Sequence, residues 1–319
     1  PTEGLSVEQA MQQTGSITYR CLVGGARKWK QNPLQIKTPD FCLSAEKLGR
    51  INGNFEVLLS WDTPHTFGEI LELAGKTPLP PYIKRAAQEE DRTTYQTVYA
   101  SKPGSVAAPT AGLHFNSQIF KQLENKGIPH SYLTLHVGAG TFKPVSSETI
   151  DEHEMHAEEV HLETAFVEEL VERFRQKRKL LTVGTTSLQA LESLYWLACL
   201  LKAGKADFDQ EVVIPQWIGF EDQIEKLPPD EAFEFLAQKL NERNLAHFGF
   251  KTQLIIAPGY EHQIISGLIT NFHQPKSTLL LLIASLMGED WKRAYDYAMQ
   301  NDFRFLSYGD GCLILRNDD

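Results

Sequence analysis

Cysteine is scarce in this 319-residue chain: Cys21, Cys42, Cys199 and Cys312 lie far apart, and no close pair suits a zinc site or a dithiol redox motif. They read as reduced, buried thiols, the state expected of a cytoplasmic protein. Long apolar runs are missing too. The longest, Leu279 to Met287, falls far short of the roughly 18 residues that a membrane span needs. Nothing at the start reads as a signal peptide, although the chain opens on Pro1 rather than Met. Cations are in deficit, and a formal net charge of −10 argues against bulk, non-specific binding to nucleic acid while leaving a local basic face open. No internal repeat or low-complexity tract is present.

Against these absences stands one dense stretch, Tyr95 to Pro144. Two glycine-punctuated turns, SVAAPTAGLHF (Ser105 to Phe115) and LHVGAGTF (Leu135 to Phe142), flank an amphipathic helical pattern, and each carries a histidine. Pro109, Gly112, Gly138 and Gly140 punctuate the backbone, and glycine permits close approach of a ligand. His114 and His136 can exchange protons near neutral pH.

Before this stretch, residues from Ile17 to Trp61 alternate β-branched and aromatic positions with turn residues, and Asn52-Gly53 is a hairpin signal. Short antiparallel strands forming a small β-barrel or sandwich are expected. Its cations Arg20, Arg27, Lys28, Lys30 and Lys37 either face a polyanion or decorate a solvated strand face. Thr66 to Gly75 has helical spacing, and the proline-rich PLPPYIKR then stiffens a linker.

Beyond the linker, helical patterns (Asn116 to Lys126, Thr164 to Arg178, Ser187 to Lys202, Pro229 to Asn244, Asp290 to Asn301) alternate with strand-like runs, SYLTLHV, KLLTVGTT, TQLIIAP and FLSYGDGCLIL. This alternation predicts an α/β domain built on a parallel sheet. Ligands of such sheets sit at the carboxyl ends of strands. The expected division is a β-barrel domain over 1–76 and an α/β catalytic domain over 77–319. Glu221 to Asn244 reads as a charged helical insertion.

Four further stretches can carry chemistry. Asp151 to His161 holds His153, His156 and His161 among carboxylates, without the H-E-x-x-H spacing of a metal site, so a pair such as His156 with Glu158 is the better functional reading and no metal is expected. VGTTS (Val183 to Ser187) follows a strand and opens a helix that carries Glu192. Its free amides, with the hydroxyls of Thr185 and Thr186, suit a carboxylate, a phosphate or a ribose, although capping is the ordinary use of such residues. In LITNFHQPKST, Asn271, His273, Lys276, Ser277 and Thr278 crowd before an apolar helix. Finally, FRFLSYGDG holds Arg304, Tyr308 and Asp310. An aspartate there can accept the N–H groups of a guanine-like edge, and a tyrosine can stack on a base.

Taken together, YQTVYA, GSVAAPTAGLHF, LTLHVGAGTFKPV, HEMHAE, VGTTS, TNFHQPKSTLL and FRFLSYGD resemble the S-adenosylmethionine:tRNA ribosyltransferase-isomerase family of queuosine biosynthesis. The likeness runs from about Pro78 to Leu315. LVGGARKWK resembles that family's small barrel domain more loosely, and Gln274 stands where many relatives have Leu. The resemblance implies a three-layer α/β domain beside a β-barrel. It also implies S-adenosylmethionine as a ribosyl donor and, as acceptor, tRNA carrying 7-aminomethyl-7-deazaguanine at the wobble position. The family's N-terminal portion, with its Asn-Asp-Thr motif, is not found in this chain.

On this reading His114, His136 and His156 share the proton transfers. Gly138, Gly140, Thr141, Glu158, Thr185 and Thr186 belong to the donor side, and Asn271, His273, Lys276, Ser277, Thr278, Tyr308 and Asp310 complete the substrate site. Lys84, Arg85, Arg92 and Arg304 lie near phosphates. A non-catalytic tRNA-binding homologue and a metal-dependent hydrolase are the competing readings. A methyltransferase is disfavoured because no G-x-G turn follows a first strand.

Overall fold

The computed structural model describes all residues except 2–3, 31–32, 52–53, 81, 103, 138–149, 151–152, 154 and 317–319. The chain divides into two compact units, one comprising 1–92 and 99–107, the other 93–98 and 108–319.

The smaller unit begins with a short helix α1 (Val7–Met11) and then forms strands β1 (Ser16–Cys21), β2 (Leu34–Lys37), β3 (Cys42–Ile51) and β4 (Asn54–Trp61), followed by α2 (Phe67–Ala74). Both helices begin with a capping box, Ser6 with Gln9 and Thr66 with Glu69, which satisfies amide groups that a helix start leaves open. The strands are antiparallel in the order β1-β4-β3-β2. Ile51 faces Asn54 across β3 and β4; Asn52 and Gly53, the expected hairpin, lie outside the described residues. Among the described residues β1 and β2 are the unpaired edges of an open sheet, so the expected barrel is replaced here by a sheet closed off by helices. The reason is packing: α1 and α2 supply Ala10, Met11, Phe67 and Ile70 to a core with Ile17 and Trp61, and the Phe67 ring lies 5.2 Å from Tyr19 and 5.9 Å from Trp61. Leu71 and Leu73, also part of the helical spacing, stay exposed.

A single turn, α3 (Asp91–Thr94), spans the division between the units. The larger unit then runs through α4 (Ser117–Asn125), β5 (Thr134–His136), β6 (Glu158–Glu163), α5 (Thr164–Arg175), β7 (Leu181–Val183), α6 (Thr185–Lys202), β8 (Val213–Ile214), α7 (Pro229–Glu242), β9 (His247–Thr252), β10 (Gly267–Asn271), α8 (Thr278–Met287), α9 (Asp290–Gln300) and β11 (Gly311–Leu315). These form a mixed α/β architecture with two sheets, β11-β10-β7 and β5-β6-β9-β8. Among the described residues the β10–β7 and β8–β9 pairs are parallel and the other pairs of these sheets antiparallel. The parallel-sheet expectation is corrected by connectivity: α5, for example, follows β6 but delivers the chain to β7 in the other sheet. TQLIIAP is corrected as well. Strand β9 stops at its first residue, and Leu254 to Ala257 continue as buried irregular backbone tied by the N–H groups of Gln253 and Ile255 to the carbonyls of Ile214 and Gln216.

Helix α6 is apolar on nearly every side and forms the centre of the core, as an all-round hydrophobic helix must. α7 packs beside it, and Phe233 of α7 stacks on Phe174 of α5 at 5.3 Å. One acidic side chain is buried in α6. Glu192 is 0% exposed, and its carboxyl oxygens accept from the Tyr260 hydroxyl at 2.9 Å and from the backbone N–H groups of Gln263, Ile264 and Ile265 at 3.0, 3.2 and 3.3 Å. Trp196 Nε1 donates in turn to the Tyr260 oxygen at 2.9 Å. Burial raises the Glu192 pKa, and these donors oppose the rise. Removing the acceptor of these four donors leaves buried polar groups unpaired, at about 1–3 kcal/mol each, or about 3–5 kcal/mol where two or three of them find no new partner. Glu192→Ala is therefore expected to lower unfolding free energy by that amount in urea titrations, whereas Glu168→Ala on the solvent side of α5 changes it by less than about 0.5 kcal/mol.

Candidate active site

The parallel strands β7 and β10 end side by side, with Val183 level with Ile269. Gly184 follows at φ +92°, a conformation that L side chains rarely adopt, and its N–H donates to the Ile269 carbonyl at 2.8 Å. The chain turns there directly into α6. Among the described residues no side chain caps this helix start, and the first-turn amides around Thr185 and Thr186 have no intrahelical acceptors. Such an end attracts negative or hydroxyl-bearing groups.

At the neighbouring strand end stands Asn271, 3% exposed. A 3₁₀ turn, Thr110–His114, packs onto it. The Thr110 hydroxyl donates to Asn271 Oδ1 at 3.3 Å, and Asn271 Nδ2 lies 3.0 Å from His114 Nε2. With its oxygen engaged by Thr110, the Asn271 amide presents N–H to the imidazole. A neutral His114 then accepts at Nε2 and carries its proton on Nδ1. Across the antiparallel pair, Asn271 faces Gly311, and a β-carbon there would lie 3.3 Å from the His114 ring. Four segments that are distant in sequence thus meet: 110–114, 184–186, 271 and 311.

The remaining residues of the two polar knots are engaged largely within or beside their own segments. Leu306 N–H donates to the Phe272 carbonyl, so the 304–310 loop hangs from the residue next to Asn271. Leu306 itself adopts φ +70°, a strained conformation for a leucine. Asp310 Oδ2 accepts the Arg304 backbone N–H at 2.7 Å, which holds its pKa below the usual carboxylate range. Tyr308 is 43% exposed and sits edge-on to Tyr95, whose hydroxyl reaches Ser307 Oγ at 3.3 Å. His273 Nε2 lies 2.9 Å from Thr270 Oγ1, the His273 backbone N–H donates to the Tyr295 hydroxyl oxygen, and burial lowers the imidazole pKa to about 4. Ser277 caps α8 through Leu280 N–H, Thr278 is the first residue of that helix, and Lys276 is exposed at φ +57°.

His136 stands on the other sheet. It is buried on β5 opposite Glu159, with its ring 5.3 Å from that of His161. Glu159 Oε2 lies 3.4 Å from His161 Nε2, and Lys251 is 3.9 Å from Glu159 and 2.5 Å from Glu211. Glu158 belongs to the opposite face, paired with buried Thr252. Its Oε2 is buried and has no hydrogen-bond partner among the described residues, and burial lifts its pKa to about 7. His156 is exposed. Gln216 and Gln253 pin the neighbouring backbone, bonding to His153 and Met155. Gly138, Gly140 and Thr141 lie outside the described residues. Among the described residues no three His, Cys, Asp or Glu side chains are grouped to hold a metal ion, and no helix is long and apolar enough to cross a membrane.

Of the cations read as phosphate contacts, Arg85 forms two 2.6 Å bonds to buried Asp91. Arg92 donates to the Glu72 carbonyl and pairs with Glu89 at 3.3 Å. Lys84 is exposed, and the Arg304 side chain is 75% exposed. Thr110 and Gly311 were not singled out in the sequence. Their signals, a threonine inside the first glycine turn and the second glycine of GDG, acquire meaning only through Asn271 and His114.

A family model described as queuosine biosynthesis protein matches residues 2–314. The chain belongs to the queuosine biosynthesis protein family. Within it, the chain is similar to two proteins named S-adenosylmethionine:tRNA ribosyltransferase-isomerase. The one from Halothermothrix orenii is 39% identical over 81% of this chain and 62% of its own length. The one from Paraburkholderia phymatum is 39% identical over 78% and 60%. The chain therefore spans less than two thirds of the length of these curated relatives. Among solved structures, an S-adenosylmethionine tRNA ribosyltransferase from Thermotoga maritima aligns at 22% identity with a TM-score of 0.41, over 93% of this chain and 70% of that one.

The Glu158 environment has a consequence for stability in this family member. A carboxyl raised from 4.5 to about 7 on folding binds its proton more tightly in the folded state, so its contribution to stability is largest at low pH and is lost as pH rises between those values. At 1.36 kcal/mol per unit the span is roughly 3 kcal/mol at most. The difference in unfolding free energy between wild type and Glu158→Gln is expected to shift against the wild type by about 1–3 kcal/mol between pH 5 and pH 8; a difference independent of pH would refute the assignment.

Proposed function

We propose that this chain transfers and isomerises the ribosyl group of S-adenosylmethionine onto the 7-aminomethyl-7-deazaguanine wobble base of tRNA, forming epoxyqueuosine and releasing adenine and methionine. The observation that carries this reading is the meeting of TAGLHF, VGTTS and TNFH, far apart in sequence, around His114, Thr185 and Asn271. The names of the 39% identical relatives support it. In this reading the larger unit is the family's three-layer catalytic domain and the strand-rich unit its accessory domain.

The chemistry has three requirements. The sulfonium acidifies the adjacent 5′ carbon, so a base must remove a proton; adenine must leave with a proton supplied; and the acceptor amine must arrive neutral. His114, His136 and His156 are assigned these transfers, with Glu158 on the donor side. For His114 the Asn271 contact favours donation from Nδ1. The open amides at Thr185 and Thr186 suit the methionine carboxylate or the ribose hydroxyls, together with Gly138, Gly140 and Thr141. Tyr308, through its exposed ring, and Asp310 face the acceptor base, while Asn271, His273, Lys276, Ser277 and Thr278 shape the floor. Lys84, Arg85, Arg92 and Arg304 are assigned to phosphates, with Arg85 and Arg92 also holding their own unit together. S-adenosylmethionine is a substrate here, and the chain works in the cytoplasm.

Adenine release from S-adenosylmethionine, followed by chromatography, tests the reading. Release is expected only when tRNA carrying the aminomethyl-deazaguanine is present, and binding of that tRNA without release would support a non-catalytic homologue instead. In an active preparation, His114→Ala is expected to lower the rate by about 10²–10⁴-fold, the usual contribution of a positioned acid or base.

A further inference from the structure

Between Arg20 and Arg50 the chain carries seven Lys and Arg against two carboxylates, and the sheet of the smaller unit sorts them. Side chains alternate across a strand, so the register assigns faces. Ile17, Leu59 and Ala45 share a face with Tyr19, Val57 and Lys47 and then with Cys21, Phe55 and Arg50. Arg20 falls on the other face beside Glu56, and so does Lys37, opposite Cys42. The helices fill only the Ile17 and Trp61 end of the first face.

At the Phe55 end, the 22–30 turn folds back over the sheet. Lys47 Nζ donates to the Trp29 carbonyl at 2.8 Å and lies 5.5 Å from the ring centroids of both Trp29 and Phe55. The Arg50 guanidinium lies 5.7 Å from the Phe55 ring. Arg27, Lys28, Lys30 and Arg50 are exposed, and none has a carboxylate partner among the described residues. The carboxylates nearest in sequence point elsewhere: Glu46 and Glu56 occupy the opposite face, and Asp40 stands in the turn at the far end of the sheet, where its N–H meets Thr38.

We infer that this end of the strand-rich unit grips the phosphate backbone of an RNA, with Arg27, Lys28, Lys30 and Arg50 as the phosphate contacts. Lys47 braces the turn against two aromatic rings so that the cations are presented together. Local concentration of positive charge on an otherwise acidic chain is the electrostatic footprint of such a partner. The inference rests on the proposed function for the identity of the RNA, a tRNA.

The test compares two charge reversals of matched kind on the full chain. One combines Arg27→Glu, Lys28→Glu and Lys30→Glu; the other combines Arg20→Glu and Lys37→Glu on the opposite face. A tRNA transcript with guanine at the wobble position is titrated at several salt concentrations, and circular dichroism checks that both variants fold. The first set is expected to weaken binding at least tenfold and to flatten the dependence of log K on log salt by about 2, at roughly 0.7–0.9 for each phosphate contact. The second is expected to change affinity less than twofold. Equal losses in both sets, or no loss in the first, would overturn the inference while leaving the catalytic reading intact. A wild-type chain that fails to bind the tRNA would overturn both. Wild-type binding to phosphatidylglycerol vesicles in preference to tRNA, abolished by the first set, would assign the patch to a membrane and overturn it as well.

Discussion

The Glu192 carboxyl group fixes the larger unit, because so polar a group can be tolerated at the centre of an apolar helix only where enough donors meet it. Three consecutive backbone N–H groups and a tyrosine hydroxyl do so. Successive amides can converge on one carboxyl only for a narrow range of helix rotation and depth. Satisfying Glu192 therefore sets α6 against the 260–265 segment. That segment leads directly into β10, so the same constraint aligns the first turn of α6 with the strand that ends at Asn271. The position of the Thr185 amides relative to Asn271 is in this way fixed from the interior, seven residues along α6 from Thr185.

The smaller unit is held by different means. Its helices begin with reciprocal side-chain caps, its core is a cluster around Trp61, and its charges pair locally, as Arg85 does with Asp91. Such an assembly depends on many modest contacts, each worth about 1 kcal/mol. No single residue in it plays the part of Glu192. The consequence is tolerance: surface charges on its sheet can be altered in number and sign with little effect on folding, which leaves them available to evolve toward a charged partner.

Much of this was legible in the sequence, and the illegible part has a common cause. The helices α4 to α7 and α9 announced themselves by spacing, and the turns before α6 and α8 by their small polar residues. Strand direction did not, because a helix lying between two strands says nothing about whether they become neighbours; β6 and β7 belong to different sheets. Candidate site residues are legible by type but not by partner. The sequence shows the cation of Arg85 but not that Asp91 accepts from both its guanidinium NH groups, and it shows the carboxylate of Asp310 but not that the Arg304 amide occupies one of its oxygens. Sequence displays the chemistry a side chain owns, whereas folding decides how much of it is consumed locally.

That distinction also ranks the titratable groups. His273 is surrounded by Thr270 and the Tyr295 hydroxyl with its pKa near 4, so it stays neutral across the neutral range and can shape a site but not store a proton in it. Glu158 is the converse: burial, with no partner on Oε2 among the described residues, brings a carboxyl to about 7, within the range where it can both give and take a proton. His114 is constrained in a third way, by an amide that fixes which ring nitrogen accepts. A reaction that needs one proton removed and another delivered is served by groups driven apart in this manner rather than by three equivalent imidazoles. On the proposed function, the different surroundings of His114, His136 and Glu158 would give them separate roles, with Nδ1 of His114 the nitrogen that can donate and the carboxyl near neutrality on β6.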